Sequence, residues 1–208
     1  MNTGALWPGL DEAELRVHAM QSKLHQWAAA DADRRFDDLY NLVYDPAFLV
    51  VAWHRVKTNK GARSAGIDGI APRAITDEQA FLCGIRDALK SRQYAPTRVR
   101  EKLIPKASGK LRHLGIATAA DRVVQASVKQ VIEPIFEADF KPCSYGFRPM
   151  RRAQDAIAEI VYLGSPTRNY EWVLEADIEA CLEPSSHCLC VHGGGVEQGV
   201  FCLWGQYS

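Results

Sequence analysis

Several features that would mark a special class of protein are missing from this sequence of 208 residues. Its first ten residues contain no basic segment followed by an apolar core, so no secretory signal is expected. No stretch approaches the roughly 20 apolar residues of a membrane span. No internal repeat is visible either. We therefore expect a globular protein that resides in the cytoplasm and does not interact with a membrane.

Cysteine is scarce in the body of the chain and crowded at its end. Cys83 and Cys143 stand alone, and the other four lie in the last 28 residues, which contain no Lys or Arg. Such a short, biased tail indicates a change in composition rather than a disulfide framework. The spacing Cys188-x-Cys190-x-His192 matches no usual zinc pattern, so we expect no zinc site there.

The chain also has no net charge, but its charges are strongly segregated. Residues 1–50 contain four Lys or Arg and eight Asp or Glu. Residues 86–112 contain nine basic and two acidic side chains, a net of +7. A basic block of this kind is suited to phosphate groups.

Apolar residues at helical spacing predict a mostly helical chain. Pro46 after Asp45 favours the first position of a helix, whereas Pro134 is expected to kink or end one. Three glycines among residues 61–69 indicate a polar loop with unusual backbone angles. The predicted helices cover residues 11–30, 33–44, 46–57, 77–92, 121–138 and 151–163.

Between residues 97 and 116 the helical spacing of apolar residues gives way to a strand-like alternation. Two extended runs there flank a loop that ends in Gly109. This pattern predicts a β-hairpin. A three-residue loop would pair Ile104 with Arg112 and Lys102 with Leu114. Because side chains alternate along a strand, one face then carries five cations. They are Arg100, Lys102, Lys106, Lys110 and Arg112.

Two interpretations of this cationic face remain open from charge alone. Like charges that face each other across a ladder are destabilising, which is tolerable where an anion such as a polyphosphate or an RNA backbone binds. A solvated face with its long side chains in water is equally compatible with the sequence. A bulge at Gly109 would shift the register.

Residues 172–178 are typical of a buried strand. Glu175 and Asp177 would lie on the same side of it, about 6.6 Å apart. A divalent cation relieves the repulsion between two such carboxylates. A single Asp at a strand end is more often a helix cap or a surface residue, so the spacing by itself does not make Asp177 catalytic.

From Leu39 to Ala180 the sequence resembles the reverse transcriptases (maturases) encoded by group II introns. The motifs occur in the family's order and cover roughly two thirds of the chain. They are SAGIDG at residues 64–69, KLIPKASGKLRHLGIATAADRVVQ at 102–125, IEPIFEADF at 132–140, CSYGFRP at 143–149 and EADI at 175–178.

The resemblance implies an α+β fold of reverse transcriptase fingers and a partial palm, mostly helical with a basic β-hairpin and one palm strand. The expected divisions are an N-terminal helical extension (1–60), the fingers (61–171), the start of the palm (172–181) and a divergent, disordered tail (182–208).

The resemblance also assigns roles to residues. Lys106 and Arg112 would contact the triphosphate of the incoming dNTP. Asp177 would be the catalytic aspartate and a ligand of two Mg²⁺ ions, with the carbonyl of Ile178 as a further ligand.

Contacts with RNA are implied for three parts of the chain. The loop that contains Gly66 and Asp68 resembles a family motif that contacts template RNA. Arg148 of YGFRP would lie near the template, although an aromatic packing motif explains it equally well. On the hairpin, the RNA contacts would be Arg100, Lys102 and Lys110.

The sequence departs from the family after Cys181. Leu182 occupies the position of an aromatic residue that excludes the ribose 2′ hydroxyl, and no Tyr-x-Asp-Asp motif is present. Asp37-Asp38 is the only adjacent aspartate pair, and we expect it to be solvated. A frameshift or premature stop would explain the tail, so we expect a truncated chain that is inactive alone.

The expected function is RNA-directed DNA polymerase and maturase activity in intron splicing and mobility. Its partners would be group II intron RNA, an RNA template with a DNA primer, and dNTPs. One alternative is an RNA-binding module that retains intron RNA contacts without catalysis. A third possibility is a product that misfolds, since a lone palm strand would leave an unpaired edge.

Overall fold

The computed structural model describes residues 7–105, 109, 111–168, 170, 172, 174 and 175. Contacts between Cα atoms divide the chain into two units, Met1–Ala138 and Asp139–Ser208. The predicted domain boundaries near residues 60, 171 and 181 stay predictions.

The first unit contains most of the regular structure, and the helices predicted at 11–30, 46–57, 77–92 and 121–138 are confirmed. Between the third and fourth helices the chain forms two 3₁₀ turns, Lys60–Arg63 and Pro72–Ala74. The other elements are α1 (Leu10–Ala30), α2 (Tyr40–Val43), α3 (Pro46–Thr58), α4 (Glu78–Lys90), β1 (Arg100–Pro105), β2 (Leu111–Ile116) and α5 (Ala119–Asp139).

Helix α1 packs against α3 through a face of small and apolar residues. Ala13, Val17, Leu24 and Ala28 are buried along this face, one or two turns apart. Helical spacing predicts an apolar face of Leu15, Ala19, Leu24 and Trp27, and this prediction is wrong in part because all of these except Leu24 are exposed. The alanine and valine side chains allow the two helix backbones to approach closely, which the longer side chains would prevent.

The core lies between α1, α3, α4 and α5. Leu49 and Trp53 of α3 are buried, and the Trp53 ring lies 5.2 Å from that of Phe81 in α4. Asp45 caps α3 by accepting a hydrogen bond from the Ala47 amide, with Pro46 at the first helical position as predicted. The remaining buried apolar side chains of this core come mainly from one stripe on each helix, which is the face that an amphipathic helix turns towards a core.

The helix predicted over residues 33–44 is wrong for its first seven residues, since α2 covers only Tyr40–Val43. The Asp31 carboxylate instead accepts a hydrogen bond from the Asp33 amide. A turn of this kind competes with helix formation by offering the backbone a local partner. Helical spacing predicts Phe36 and Leu39 on one face, and both are partly buried against the core although the chain is not helical there.

Pro134 does not end α5, which continues to Asp139. A proline inside a helix lacks the amide that would bond the carbonyl four residues earlier. That carbonyl belongs to Gln130, and the side-chain amide of Gln21 in α1 donates to it at 2.9 Å. A neighbouring helix therefore supplies the hydrogen bond that Pro134 removes.

The second unit contains α6 (Ala153–Leu163), as predicted. None of the α6 residues is buried, and its apolar side chains Ile157, Ile160 and Val161 are exposed. Of the predicted strand 172–178, the described residues Trp172, Leu174 and Glu175 are not in a strand.

The prediction of a buried strand is therefore wrong for these three residues, and Trp172 and Leu174 are each 92% exposed. An extended apolar segment is buried only when it pairs with another strand and packs on a core. Within the described residues, the only sheet is the two-stranded one formed by β1 and β2. Asp177 and Ile178 lie outside the described residues.

Mixed helices with a small antiparallel sheet agree with the predicted α+β class. The assignment of these elements to reverse transcriptase fingers and palm stays a prediction. Among the described residues, no helix is both long and apolar enough to cross a membrane.

Candidate nucleic-acid interface

The antiparallel register of the hairpin is the one that the sequence predicted. Lys102 pairs with Leu114 and Ile104 pairs with Arg112. Arg100, which pairs with Ile116, has the same parity along β1 as Lys102. Because side chains alternate along each strand, these three cations share one face. We call Arg100, Lys102 and Arg112 the hairpin face.

All residues of β1 are exposed, and Arg112 of β2 is exposed as well. The acidic side chain of the hairpin, Glu101, lies on the other face. Its carboxylate contacts the ring of His113 on that face. In the two strands that the structure describes, no carboxylate therefore lies on the face that carries these cations. The Arg100 Nε donates a hydrogen bond to the Ala65 carbonyl at 3.0 Å.

The tip of the hairpin is only partly described. Gly109 has a φ of +78°, the left-handed conformation that the predicted loop requires. Lys106 and Lys110, which were predicted to extend the hairpin face, lie outside the described residues. Their roles as a dNTP contact and an RNA contact stay predictions.

A single arginine holds the loop of residues 61–69 against α5. The Arg122 guanidinium donates to the Gly61 carbonyl at 2.9 Å, to the Ser64 carbonyl at 2.8 Å and to the Ala117 carbonyl at 3.0 Å. The Arg100 bond to Ala65 joins the same loop to the hairpin. Arg122 and Arg100 therefore fix this loop between β1 and the start of α5.

Gly66 is required by close packing at this junction. A Cβ atom at residue 66 would lie 2.6 Å from the Cα of Thr118 and 3.0 Å from the Ala117 carbonyl. Asp68 is exposed, and its carboxylate accepts a hydrogen bond from the Ile70 amide. The structure therefore gives Gly66 a packing role, while Asp68 is accessible from solvent.

A buried carboxylate that sequence reasoning missed anchors the other end of the hairpin. Asp121, only 4% exposed, accepts hydrogen bonds from the hydroxyls of Tyr94 and Thr118 and from the Thr97 amide. Burial and the Asp121 hydrogen bond raise the pKa of Tyr94. The Thr-x-x-Asp pattern before an apolar helix resembles a capping box and was the available signal.

Arg148 is 9% exposed and contributes to a local brace in the second unit. Its guanidinium donates to the carbonyls of Lys141 and Ser144, both at 2.8 Å, and lies 5.1 Å from the centroid of the Phe140 ring. Nearby, the Tyr145 hydroxyl donates to Glu159, which raises the pKa of Tyr145. These contacts agree with the aromatic packing interpretation, and contact with template RNA stays a prediction.

The predicted metal ligands Asp177 and Ile178 lie outside the described residues. In the part of the chain that the structure describes, no three His, Cys, Asp or Glu side chains come together as a possible metal site. Asp37 and Asp38 are exposed, as predicted for a solvated pair. Asp38 accepts a hydrogen bond from Asn41.

Comparison with known proteins decides the wider relationship. A group II intron-encoded protein, LtrA of Lactococcus lactis subsp. cremoris, is 31% identical over 170 residues, which is 81% of this chain and 28% of LtrA. The chain is a homologue of group II intron-encoded proteins. This finding agrees with the family that the sequence motifs resemble.

Two further relatives extend the comparison. Protein YkfC of Escherichia coli is 36% identical over 176 residues, covering 83% of this chain and 46% of YkfC. An uncharacterized 91 kDa protein in a cob intron of Schizosaccharomyces pombe is 31% identical over 172 residues, covering 76% of this chain and 20% of that protein. No family model matches the chain.

The chain thus spans less than half the length of each of these relatives. The similarity to intron-encoded proteins covers most of this chain. Because the hairpin lies near the middle of the sequence, a match over 170 of the 208 residues includes it.

Proposed function

We propose that this chain is the RNA-binding fingers part of a group II intron reverse transcriptase and maturase, and that it does not polymerise DNA on its own. Its ligand would be group II intron RNA. In the intact enzyme the same surface would meet an RNA template, a DNA primer and dNTPs.

The observation that carries this proposal is the exposed hairpin face in a homologue of group II intron-encoded proteins. Three cations with no carboxylate on their face suit a chain of phosphate groups. The Arg100 bond to Ala65 and the Asp121 network support a hairpin whose base is held firmly. A firmly held base reduces the conformational entropy that phosphate binding would otherwise cost.

Within the hairpin, the proposed roles differ by side-chain chemistry. Arg112 would form bidentate hydrogen bonds with the dNTP triphosphate, and Lys106 would add a compact charge. Arg100, Lys102 and Lys110 would contact the RNA backbone, and the loop containing Gly66 and Asp68 would lie along the template. Arg148 would act indirectly, by bracing the segment that follows α5.

The donor set of this chain does not fit a two-metal polymerase site. Mg²⁺ ions supply activation of the primer hydroxyl and neutralisation of the leaving pyrophosphate in such enzymes. Asp177 and the Ile178 carbonyl would be ligands, but two ions about 3.5 to 4 Å apart need bridging carboxylates from more than one aspartate. No Tyr-x-Asp-Asp motif supplies them in these 208 residues.

Primer extension tests the absence of polymerase activity. The purified chain is incubated with an RNA template, a labelled DNA primer, dNTPs and Mg²⁺, and we expect no primer elongation. The matched control is Asp177→Ala, which should be indistinguishable from the wild type. Incorporation of dNTPs that disappears in Asp177→Ala would refute the proposal that the chain is inactive alone.

The second candidate is a plain RNA-binding module that retains no part in polymerisation. The missing Tyr-x-Asp-Asp motif favours it. The two candidates differ in their response to the remainder of a family enzyme. Addition of a palm fragment from a relative should restore dNTP incorporation if this chain still supplies working fingers, whereas a plain RNA-binding module would bind RNA but restore nothing.

A further inference from the structure

Asp121 is a buried carboxylate in the first turn of α5, and it belongs to none of the sites that the sequence predicted. It is 4% exposed. Burial of a carboxylate is costly unless hydrogen bonds replace those that it makes with water. Asp121 accepts such bonds from the Tyr94 hydroxyl, from the Thr97 amide at 3.3 Å and from the Thr118 hydroxyl at 2.6 Å. Three donors therefore converge on one buried side chain.

Capping of α5 explains only the contacts with Thr118. Its hydroxyl also accepts a hydrogen bond from the Asp121 amide at 3.2 Å, as in a capping box. Tyr94 and Thr97 lie 27 and 24 residues before Asp121, in the segment that leads from α4 to β1. The Tyr94 amide donates to the Ala88 carbonyl of α4 at 3.0 Å. Asp121 therefore joins the chain before the hairpin to the chain after it.

These contacts lie at the base of the hairpin. Thr97 is three residues before the first residue of β1, Arg100, and Thr118 is two residues after the last residue of β2, Ile116. Arg100 and Ile116 are paired with each other in the ladder. One carboxylate thus holds the chain at both ends of the hairpin.

The attachment at the base has a large influence on where the cations lie. Apolar packing contributes little to the orientation of β1, because all six of its residues are exposed. Arg112 pairs with Ile104, four residues along β1 from Arg100, which is about 13 Å at the rise of a strand. A rotation of about 10° at the base would therefore move Arg112 by about 2 Å. Such a displacement exceeds the spread of hydrogen-bond lengths, which is about 0.5 Å.

We propose that Asp121 is a positioning residue for the hairpin face. It fixes the base of the hairpin so that Arg100, Lys102 and Arg112 contact phosphates of the same RNA strand together. The inference rests on the proposed function, because it assigns Asp121 a role in the same RNA binding. Asp121 is buried and does not touch the RNA. Its negative charge would by itself weaken RNA binding, so a positioning effect and a purely electrostatic effect have opposite signs.

Salt-dependent RNA binding by the full 208-residue chain tests this sign. The variant is Asp121→Asn, which keeps the size of the side chain, removes no cation and replaces one acceptor oxygen by a donor. The matched control is Ser127→Ala in α5. Ser127 is fully buried and donates to the Val43 carbonyl at 2.7 Å, so this change also removes a buried hydrogen bond but leaves the base of the hairpin intact. The probe is a fluorescently labelled single-stranded RNA.

Asp121→Asn should weaken RNA binding although it removes a negative charge. Each phosphate contact contributes roughly 0.7 to the slope of log affinity against log salt for a single strand. A displaced hairpin that loses one or two of its three contacts should lower the magnitude of the slope by about 1 and weaken binding roughly tenfold at 0.1 M salt. Ser127→Ala should keep the wild-type slope. Unchanged or tighter binding by a folded Asp121→Asn chain would overturn the inference.

A second variant covers the case in which Asp121→Asn does not fold. Tyr94→Phe retains the partly buried ring and removes only the hydroxyl that donates to Asp121. It should lower the affinity and the salt slope in the same direction, by a smaller amount. Urea unfolding followed by circular dichroism shows which variants are folded. Where Asp121→Asn is unfolded, wild-type binding by Tyr94→Phe overturns the inference.

Combination with the hairpin triple, Arg100→Ala/Lys102→Ala/Arg112→Ala, separates positioning from a general loss of stability. If Asp121 acts through these cations, Asp121→Asn should weaken RNA binding no further once they are absent. Equal weakening in the wild-type and triple backgrounds would contradict a positioning role. The same comparison applies to Tyr94→Phe.

Failure of the proposed function is distinguishable from failure of this inference. If the wild type binds no RNA, or if the hairpin triple binds as the wild type does, both fail. If the hairpin triple weakens binding while Asp121→Asn and Tyr94→Phe match Ser127→Ala, only the role of Asp121 fails.

Discussion

Apolar side chains are buried in the helical core of the first unit but exposed in the hairpin, which lies between α4 and α5 in the chain. In the core, Leu24 and Leu49 are almost completely buried. In the hairpin, Leu103, Ile104 and Leu111 are exposed although they belong to regular strands. The two regions are adjacent in the chain, so the difference reflects what each region packs against.

This contrast separates the residues that stabilise the fold from those that are available to a ligand. Removal of apolar surface from water stabilises the core, at roughly 25 cal/mol per Å² buried. A two-stranded hairpin is marginally stable by itself, so the bonds at its base are needed to hold it. Because its long basic and apolar side chains remain accessible, the hairpin is the better candidate for binding a large partner.

The largest expected difference between the two regions is in the stability that is lost when a leucine is shortened to alanine. Leu49→Ala should lower the free energy of unfolding by about 2–5 kcal/mol, because it leaves a cavity in a close-packed core. Leu111→Ala, at a residue 56% exposed, should change it by about 0.5 kcal/mol or less. Urea unfolding followed by circular dichroism measures both, and similar losses would contradict the proposed division.

The junction between the loop and α5 should respond to the addition of a single methyl group. Gly66→Ala should destabilise the chain by about 1–3 kcal/mol, since its Cβ would overlap the Thr118 backbone. Gly84→Ala is the matched control, because that residue lies in α4 with open space around it. It should stabilise the chain by up to about 1 kcal/mol. A Gly66→Ala variant as stable as Gly84→Ala would show that the contact at residue 66 is not close.

The smallest effect concerns Glu78 and depends on pH. A hydrogen bond from Lys57, and to a lesser degree one from Trp53, lowers the pKa of Glu78 below its ordinary value. The unfolded chain therefore takes up this proton first as the pH falls. The stabilisation is fully present above the ordinary Glu pKa and is lost as the pH falls through the lowered folded value. Because the pair is partly exposed, it contributes about 1 kcal/mol or less.

Comparison of Glu78→Gln with the wild type measures this contribution. The variant should be slightly less stable near neutral pH, and the difference should shrink continuously as the pH falls through the lowered folded pKa of Glu78. Glu14→Gln, at an exposed residue of α1, is the control and should show no such trend. A difference that grows as the pH falls would have the wrong sign.

Local patterns in the sequence were sufficient to predict most elements of the fold. The hairpin register followed from strand alternation and from a loop ending in Gly109. The helix predicted over residues 33–44 was mostly wrong because the turn at Asp31 offered a competing local hydrogen bond. The role of Gln21 opposite Pro134 could not be predicted, since it depends on two helices far apart in sequence.

The candidate site was predictable only where its residues follow one another along a strand. The hairpin face met that condition, whereas the loop of residues 61–69 is held by Arg100 and Arg122, which are far from it in sequence. The Asp121 network was also missed, because helical periodicity describes apolar faces and the Thr118-x-x-Asp121 pattern indicates a helix start without showing that the carboxylate is buried. Lys106, Lys110, Asp177 and Ile178 remain predictions from family resemblance.

The central claim is that the hairpin face binds RNA, and the salt dependence of binding tests it most directly. Arg100→Ala/Lys102→Ala/Arg112→Ala should lower the magnitude of the salt slope by about 2 and weaken binding roughly a hundredfold at 0.1 M salt. The control triple Lys23→Ala/Arg35→Ala/Lys90→Ala should bind nearly as the wild type does. Equal slopes for the wild type, the hairpin triple and the control triple would contradict the account.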